Sequence, residues 1–600
     1  MSFHPNDITR RSRVASVLLI LAFVWLGGAF FRAQVLDGER FALQSTQNRL
    51  REVPMPAPRA AILDRHGRII AESVPGYAVL LTLDRTKSRP AAEDSLRSTL
   101  GRLGDFIPYT DEQIEAAVRR YRRDPYRPVV VLSDAPFDVV SVLEERVADF
   151  PGLIIQASPK RYYPDGAVVS SFVGYTGEIS DAELSQADST YKAGQQIGKQ
   201  GLEAQYESLL RGKEGKSFIE VDALNRVVKR ENVRPDLLPE AQPPLRTNID
   251  MDLQHFVYKM LEGDTSMTGA IIALDPKTGG VLAMHSNPGF DPNRFIGGVS
   301  KAYYDSLSND PRRPMYNKVI QGRYPPASTF KLVTAAIAME RGLVTLDTHM
   351  PVPCRGGYQY GSRWFRCWNH RGHGNLSLRQ AIALSCDVYF YQLGQLIGLE
   401  EFLKGGIAVG MNDRSGIDLP NETRSRWPAD VKYYDETYGP RNWSRAVTLN
   451  LAIGQGENDQ TVVNMARIFT ALATDGTSKN PEIVAREPVV RRSFNLSAEQ
   501  MAGLRSALVD VVSSRGTAGG SAIQGVQIAG KTGTAQNSQD PDRDHGWFVG
   551  FAPADDPKIV VAVFIQFGES GSTVARYASA IIGHYLKSAT APIPVTEEGQ

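Results

Sequence analysis

Apolar and polar positions fall into different patterns along the chain. Residues 14–31, VASVLLILAFVWLGGAFF, run for eighteen positions without a charge, which is long enough for a membrane-crossing helix. From Asp37 to about Pro244, short strand-like runs (AAILDR, YAVLLTL, RPVVVLS) mix with amphipathic helical stretches such as DVVSVLEERVADF. RPDLLPEAQPPL (234–245) is proline-rich and polar, the composition of a linker. Beyond it, TNIDMDLQHFVYKML predicts a short strand turning into a helix. GAIIALDPKTGGVLAMHS predicts strand, turn and strand, and WFVGFAP and KIVVAVFIQF predict further strands. Strands alternate with long helices to Tyr585, and APIPVTEEGQ (591–600) reads as a flexible tail. The pattern predicts an α+β multidomain chain with one N-terminal transmembrane helix. A tail of 1–13 precedes the span at 14–31, and folded regions of 37–243 and 244–590 follow it.

Charge decides how the first segment is read. TRRSR (9–13) precedes the apolar run, so Arg10, Arg11 and Arg13 stay cytoplasmic and the rest of the chain is exported. A cleaved signal peptide has a shorter apolar core ending in small residues, whereas Phe30, Phe31 and Arg32 follow here. An uncleaved anchor is preferred to that reading and to a buried soluble helix. Hydrophobic residues make up 42% and charged residues 22%, an ordinary globular balance. The net charge of +1 gives no support for wholesale nucleic-acid binding.

PPASTFKLVTA (325–335) sets Ser328 and Lys331 one helical turn apart, on one face of a mostly apolar helix. A lysine there needs a partner or must be neutral. The same spacing in Ser189–Lys192 lies among polar neighbours and reads as surface. Ser385-Cys386-Asp387 opens a helical run, and taken alone it reads as an N-cap. K-T-G occurs twice. Lys277–Gly279 is explained by its hairpin turn, whereas Lys531-Thr532-Gly533-Thr534 continues a strand, with Lys531 and Gly533 on one face.

S-x-x-K, S-x-D and K-T-G-T in this order, on an anchored exported chain, are the motif set of penicillin-binding proteins and class A β-lactamases. The chain resembles the class B penicillin-binding proteins, and within them the elongation-type peptidoglycan D,D-transpeptidases. RAAILDRHGRIIA (59–71), KRYYPDGAVVSSFVGY (160–175) and IGKQGLEAQYESLLRG (197–212) resemble the family's elongated non-catalytic pedestal, of the dimerisation and partner-binding type. Ala60 stands where the family usually has glycine. YPPASTFK, SCDVYFYQLG, AIGQG (452–456) and GKTGTAQ resemble its transpeptidase domain, an antiparallel sheet covered by helices.

The resemblance implies that Ser328 is the nucleophile, Lys331 its base and Ser385 a proton relay. It implies that Asp387 orders the polar groups and that Lys531, Thr532, Gly533 and Thr534 bind the substrate's terminal carboxylate. The backbone N–H groups of Ser328 and Thr534 would hold the oxyanion. The substrate would be peptidoglycan stem peptides, acyl transfer would need no cofactor, and β-lactams would inhibit. It further implies a single-pass protein of the bacterial cytoplasmic membrane, with its catalytic domain on the periplasmic side. Its partners would be a SEDS-family glycosyltransferase and other elongation-complex membrane proteins. The rivals are a D,D-carboxypeptidase or β-lactamase-type hydrolase, and a non-enzymatic β-lactam sensor or wall scaffold.

All three cysteines, Cys354, Cys367 and Cys386, lie in one stretch with His370 and His373. Three cysteines and one histidine make a closed tetrahedral zinc set. Some elongation-type members carry a metal in this region, with His373 as the fitting ligand and His370 as its competitor. The alternative is a Cys354–Cys367 disulfide with Cys386 free. The cluster and the S-C-D form together point to elongation rather than division.

Overall fold

The computed structural model describes residues 5–39, 50–84, 88–107, 109–125, 127–222, 227–229, 235–263, 266–536, 543–568 and 570–590. The tail expected at 591–600 lies outside them.

The first helix, α1 (Pro5–Phe31), starts inside the expected cytoplasmic tail and continues as a π-helical turn over Arg32–Leu36. The apolar part, Ser12–Leu36, is 25 residues long with none of it buried. At 1.5 Å per residue it extends about 37 Å, enough to cross about 30 Å of hydrocarbon with some tilt.

The region up to about residue 244 holds several small sheets. β1 (Leu50–Met55) pairs with a later strand, Gly215–Val221. β2 (Ile62–Leu63), β3 (Ile69–Val74) and β4 (Tyr77–Leu81) follow. α2 (Arg89–Leu103) and α3 (Asp111–Arg123) pack together, and β5 (Val129–Leu132) and β6 (Leu153–Ala157) flank β4. Leu96, Leu100, Val118 and Leu143 give this lobe its own core. The stretch expected as a linker is tied down instead. Leu237 and Glu240 form antiparallel bridges with Lys216 and Lys213, because two backbone groups facing the edge of a strand are better paired than left bare.

The two halves are not separate bodies. Leu245–Arg246 pairs in parallel with β2. Ile62, Ile70, Phe172 and Leu202 belong to one continuous core with Ile249, Leu253 and the residues of the C-terminal sheet. That sheet is built from β7 (Thr268–Leu274), β8 (Val281–Asn287), β9 (Ala529–Ala535), β10 (His545–Ala552) and β11 (Ile559–Gln566). It is antiparallel, in the order β8-β7-β11-β10-β9. Helices Met251–Glu262, Val462–Ala473, Ala498–Val512 and Gly571–Thr590 cover it, so nearly every strand position is buried. Burial on both faces explains the unbroken apolar runs in the sequence. β9 ends the sheet, and its free edge faces the serine turn.

Candidate active site

Ser328 is half-buried in a 3-10 turn, Ala327–Phe330, that opens the helix Lys331–Glu340. Every residue of that helix from Lys331 to Met339 is buried. The turn is strained, since Ala327 has φ 49°, a conformation that costs an L-residue about 1–2 kcal/mol. Three contacts hold it. The Ala327 N–H donates to Gly454 O at 2.9 Å, and Thr329 Oγ1 donates to Pro326 O at 2.6 Å. Gly454 itself (φ +75°) sits so close that an added Cβ would lie 2.1 Å from Ala327 O.

Lys331 is fully buried and points at the S-C-D segment. Its Nζ donates to Ser385 O at 2.8 Å, Ser385 Oγ at 3.2 Å and Asp387 Oδ1 at 2.7 Å. Ser385 also adopts a left-handed backbone, φ 54°. Capping is not what these residues do here. Cys386 occupies the cap position of helix Asp387–Ile397 without a side-chain cap bond, and both polar side chains turn to the lysine. The second Asp387 oxygen accepts from the Trp368 N–H at 2.9 Å, while the indole N–H of Trp368 reaches Ser385 O at 3.1 Å.

β9 supplies the third wall. Gly533 faces the serine turn, where a Cβ would lie 3.1 Å from Pro326 O and 3.2 Å from Thr329 Cγ2. The strand approaches this closely because residue 533 has no side chain. Lys531, two residues back, shares that face and is fully buried. Among the described residues its Nζ finds only Thr532 O at 3.1 Å and Thr532 Oγ1 at 3.5 Å. Burial, and then the charge of Lys331, pushes its pKa well below the usual lysine range. Thr532 shares a hydrogen bond of 2.7 Å with Thr517. Thr534 is exposed, and its hydroxyl accepts from the Gly571 N–H at 3.2 Å.

Four sequence segments thus meet around one cleft. Trp368, Thr517 and Gly571 were not singled out from sequence, because they gain meaning only from contacts between distant segments. The Ser189–Lys192 copy is surface, with Ser189 and Lys192 exposed, and Lys277–Gly279 is the β7–β8 turn.

The cysteines form a second cluster against this wall. Cys354, Cys367, His373 and Cys386 bring their donor atoms within 4.8 Å of one another. The three thiols are free, so the disulfide alternative is not what the structure contains. His373 Nδ1 lies 3.6 Å from both Cys354 Sγ and Cys367 Sγ. Tetrahedral zinc with ordinary bond lengths separates a sulfur from a nitrogen ligand by about 3.6 Å, so the donor set fits such an ion. His370 is exposed and outside the cluster.

Comparisons with known proteins agree over most of the chain. Residues 269–583 match the penicillin binding protein transpeptidase domain, and residues 54–237 match the penicillin-binding protein dimerisation domain. Peptidoglycan D,D-transpeptidase MrdA of Acinetobacter baumannii is 31% identical, over 97% of this chain and 89% of that protein. MrdA of Escherichia coli K12 is 28% identical, over 96% and 94%. Among solved structures, the complex of penicillin-binding protein PBP2 with MreC from Helicobacter pylori has a TM-score of 0.78 at 28% identity. That match covers 90% of this chain and all of the solved one.

Proposed function

The chain belongs to the class B penicillin-binding proteins, of the PBP2 type, and is a peptidoglycan D,D-transpeptidase of cell elongation; on that premise we propose which groups carry the reaction. Ser328 attacks the penultimate D-alanine carbonyl of a donor stem peptide. The terminal D-alanine leaves as the amine and an ester forms on Ser328. The amine of a neighbouring stem then takes the acyl group and frees the serine. Splitting one difficult displacement into two is the gain from covalent catalysis.

Lys331 is the base that receives the Ser328 proton, and Ser385 passes it to the leaving amine. The observation that carries this reading is the contact of one buried Nζ with both Ser385 Oγ and Asp387 Oδ1. Lys531 is the carboxylate receptor. Among the described residues no carboxylate lies at ion-pair distance from it, and a donor carboxylate supplies one. Thr532, Gly533 and Thr534 line the approach. The N–H groups of Ser328 and Thr534 receive the oxyanion, each such donor being worth about 3 kcal/mol of barrier.

Cys354, Cys367, His373 and Cys386 are proposed to hold a structural zinc. Bound there, zinc supplies no acyl-transfer chemistry. It ties the Cys354–His373 segment to the S-C-D wall. Residues 37–243 are proposed as the partner-binding pedestal and 244–590 as the transpeptidase domain, with the chain crossing the membrane once and its C-terminal side in the periplasm. The PBP2 of H. pylori is solved with MreC, which supports an analogous contact here, and a SEDS-family glycosyltransferase is the proposed supplier of glycan strands.

The test is covalent labelling by a fluorescent penicillin. Ser328→Ala is expected to abolish it in folded protein, and labelling at unchanged stoichiometry would move the nucleophile elsewhere. Rapid hydrolysis of the penicillin would favour the β-lactamase-type reading instead.

A further inference from the structure

A surface beyond the cysteine cluster takes no part in the acyl-transfer steps given above. From residue 350 to residue 386 the chain carries five arginines and no acidic residue, in a protein whose net charge is only +1. Arg379 is neutralised by Asp510 at 2.6 Å. Arg355, Arg363, Arg366 and Arg371 are exposed and meet no carboxylate at ion-pair distance among the described residues. Surface charges of one sign, left unbalanced, add up to a local field that attracts an anionic partner.

Two tryptophans stand within this field. Strands Gly357–Tyr360 and Arg363–Arg366 form a hairpin. Phe365 turns inward, buried with Tyr391 and Leu449, so Trp364 and Arg366 take the outward face. Arg366 pairs with Gly357 across the hairpin, and a Cβ at Gly357 would lie 2.3 Å from Trp364 Cε2. The indole therefore lies across the bare glycine, and Trp364 is 50% exposed. Trp368 is 57% exposed, yet its indole N–H is pinned by Ser385 O at 3.1 Å and Leu384 O at 3.2 Å. Both rings are held by the backbone beneath them, with an open face to water. Fixed aromatic faces among arginines, with acids excluded, are the composition of a binding surface.

The partner has to be anionic and has to offer flat faces to indole rings. A peptidoglycan strand does both. The C–H faces of its sugar rings stack on the negative face of an aromatic ring, and its stem peptides carry free carboxylates. The surface is also continuous with the cleft, because Trp368 sits on Ser385 O and Cys386 lies between Ser385 and Asp387. This step rests on the reading of Ser328 and Lys531 given above. There the donor's carboxylate sits at β9, which leaves the S-C-D side for the second substrate. We propose that the outer face of the hairpin Gly357–Arg366, with Trp364 at its centre and Trp368 at its cleft end, docks the strand that carries the acceptor amine. The amine is then delivered from the S-C-D side to the ester on Ser328.

The test separates this surface from the donor side of the cleft. Full-length protein in detergent is acylated with penicillin, which fills the donor side, and the binding of fluorescently labelled probes is followed by anisotropy. The probes are uncrosslinked peptidoglycan strands with tetrapeptide stems, a neutral chito-oligosaccharide of the same length, and poly-glutamate. The strands are expected to bind the penicilloyl protein about tenfold or more tightly than either of the others, which offer rings without charge or charge without rings. Binding should weaken as salt is raised. Trp364→Ala and Arg366→Gln should each cost about tenfold in strand affinity, whereas Trp364→Phe, which keeps an aromatic face, should bind nearly as the wild type does. With a pentapeptide donor and limiting strands, Trp364→Ala should divert the acyl-enzyme from transfer to hydrolysis while its acylation by penicillin keeps the wild-type rate. Poly-glutamate binding as tightly as the strands, or phosphatidylglycerol in mixed micelles displacing them, would overturn the proposal in favour of a general anion or membrane surface. Loss of strand binding on acylation would overturn it too, since the strand would then lie in the donor cleft. So would substitutions that leave strand binding unchanged, or that slow penicillin acylation as much as transfer. Failure of the wild-type protein to label with penicillin is a different outcome: it would remove the reading of Ser328, while strand binding that still depends on Trp364 would keep the docking surface.

Discussion

Gly454→Ala tests whether the strained serine turn is held in place by its neighbours. A Cβ at residue 454 would lie 2.1 Å from Ala327 O and 2.8 Å from Phe330 Cβ, and real Cβ contacts stay above 3.0 Å. The carbonyl just before Ser328 must therefore retreat by at least 3.0 − 2.1 = 0.9 Å. Misplacing a reacting atom by that much costs about a hundredfold in rate, or about 2.7 kcal/mol of barrier. Alanine at φ +75° adds about 1 kcal/mol of backbone strain. Gly342→Ala separates the two effects. It lies just past the Lys331–Glu340 helix at φ +67° with nothing within 4 Å, so it carries the strain without the collision. The assay is the second-order rate of acylation by a fluorescent penicillin, beside a thermal melt. Gly454→Ala is expected about a hundredfold slower and Gly342→Ala within threefold of wild type. A Gly454→Ala protein that acylates within threefold of wild type would refute the argument that this glycine positions the nucleophile.

Two further outcomes concern parts away from the serine. Glu203 is fully buried between Arg161 Nε at 2.6 Å and Arg59 Nη2 at 2.8 Å, so Glu203→Gln should cost about 3–5 kcal/mol by leaving buried charge unpaired. Burial pushes the Glu203 carboxyl up, but the charges of Arg161 and Arg59 bring it below the usual carboxylate range. Its contribution is then fully present above about pH 4.3 and fades as pH falls through the lower folded value, so the gap between wild-type and Glu203→Gln melts should narrow on acidification from pH 7 to 3. A gap independent of pH would show that ionisation of Glu203 is not the source. For the cysteine cluster, metal analysis of purified protein should find about one zinc per chain. Cys367→Ser should lose most of it and slow penicillin acylation, because the next residue, Trp368, braces Asp387. Zinc below about half an equivalent in the wild-type protein would contradict the assignment.

Local chemistry was readable from the sequence, and long-range geometry was not. Ser328 and Lys331 are legible because helical spacing alone puts them on one face. The sheet is legible because strands buried on two sides must be apolar at every position. The roles within S-C-D were not, because a cap and a lysine partner ask for the same residue types. Only the fold, which brings residue 331 to residue 387, decides between them. The depressed amine of Lys531 was not legible either, since its burial and its nearness to Lys331 come only from tertiary contact. The supposed linker misled because proline and polar residues also suit a stretch that lies along a strand edge. Arg32 did not end the helix, which continues as a π-helical turn to Leu36.

The continuous core that joins Ile62, Phe172 and Leu202 to the catalytic sheet has a practical side. A fragment starting at Pro244 would lose the strand at Ile62–Leu63 that pairs with Leu245–Arg246. It would also lay open to water the greasy underside on which those three residues sit. The enzyme's reactive half is therefore expected to be a poor soloist, clumping or melting early, whereas the outlying lobe around Leu96 and Val118, with oil of its own, is the piece that could be swapped or trimmed without unseating the chemistry.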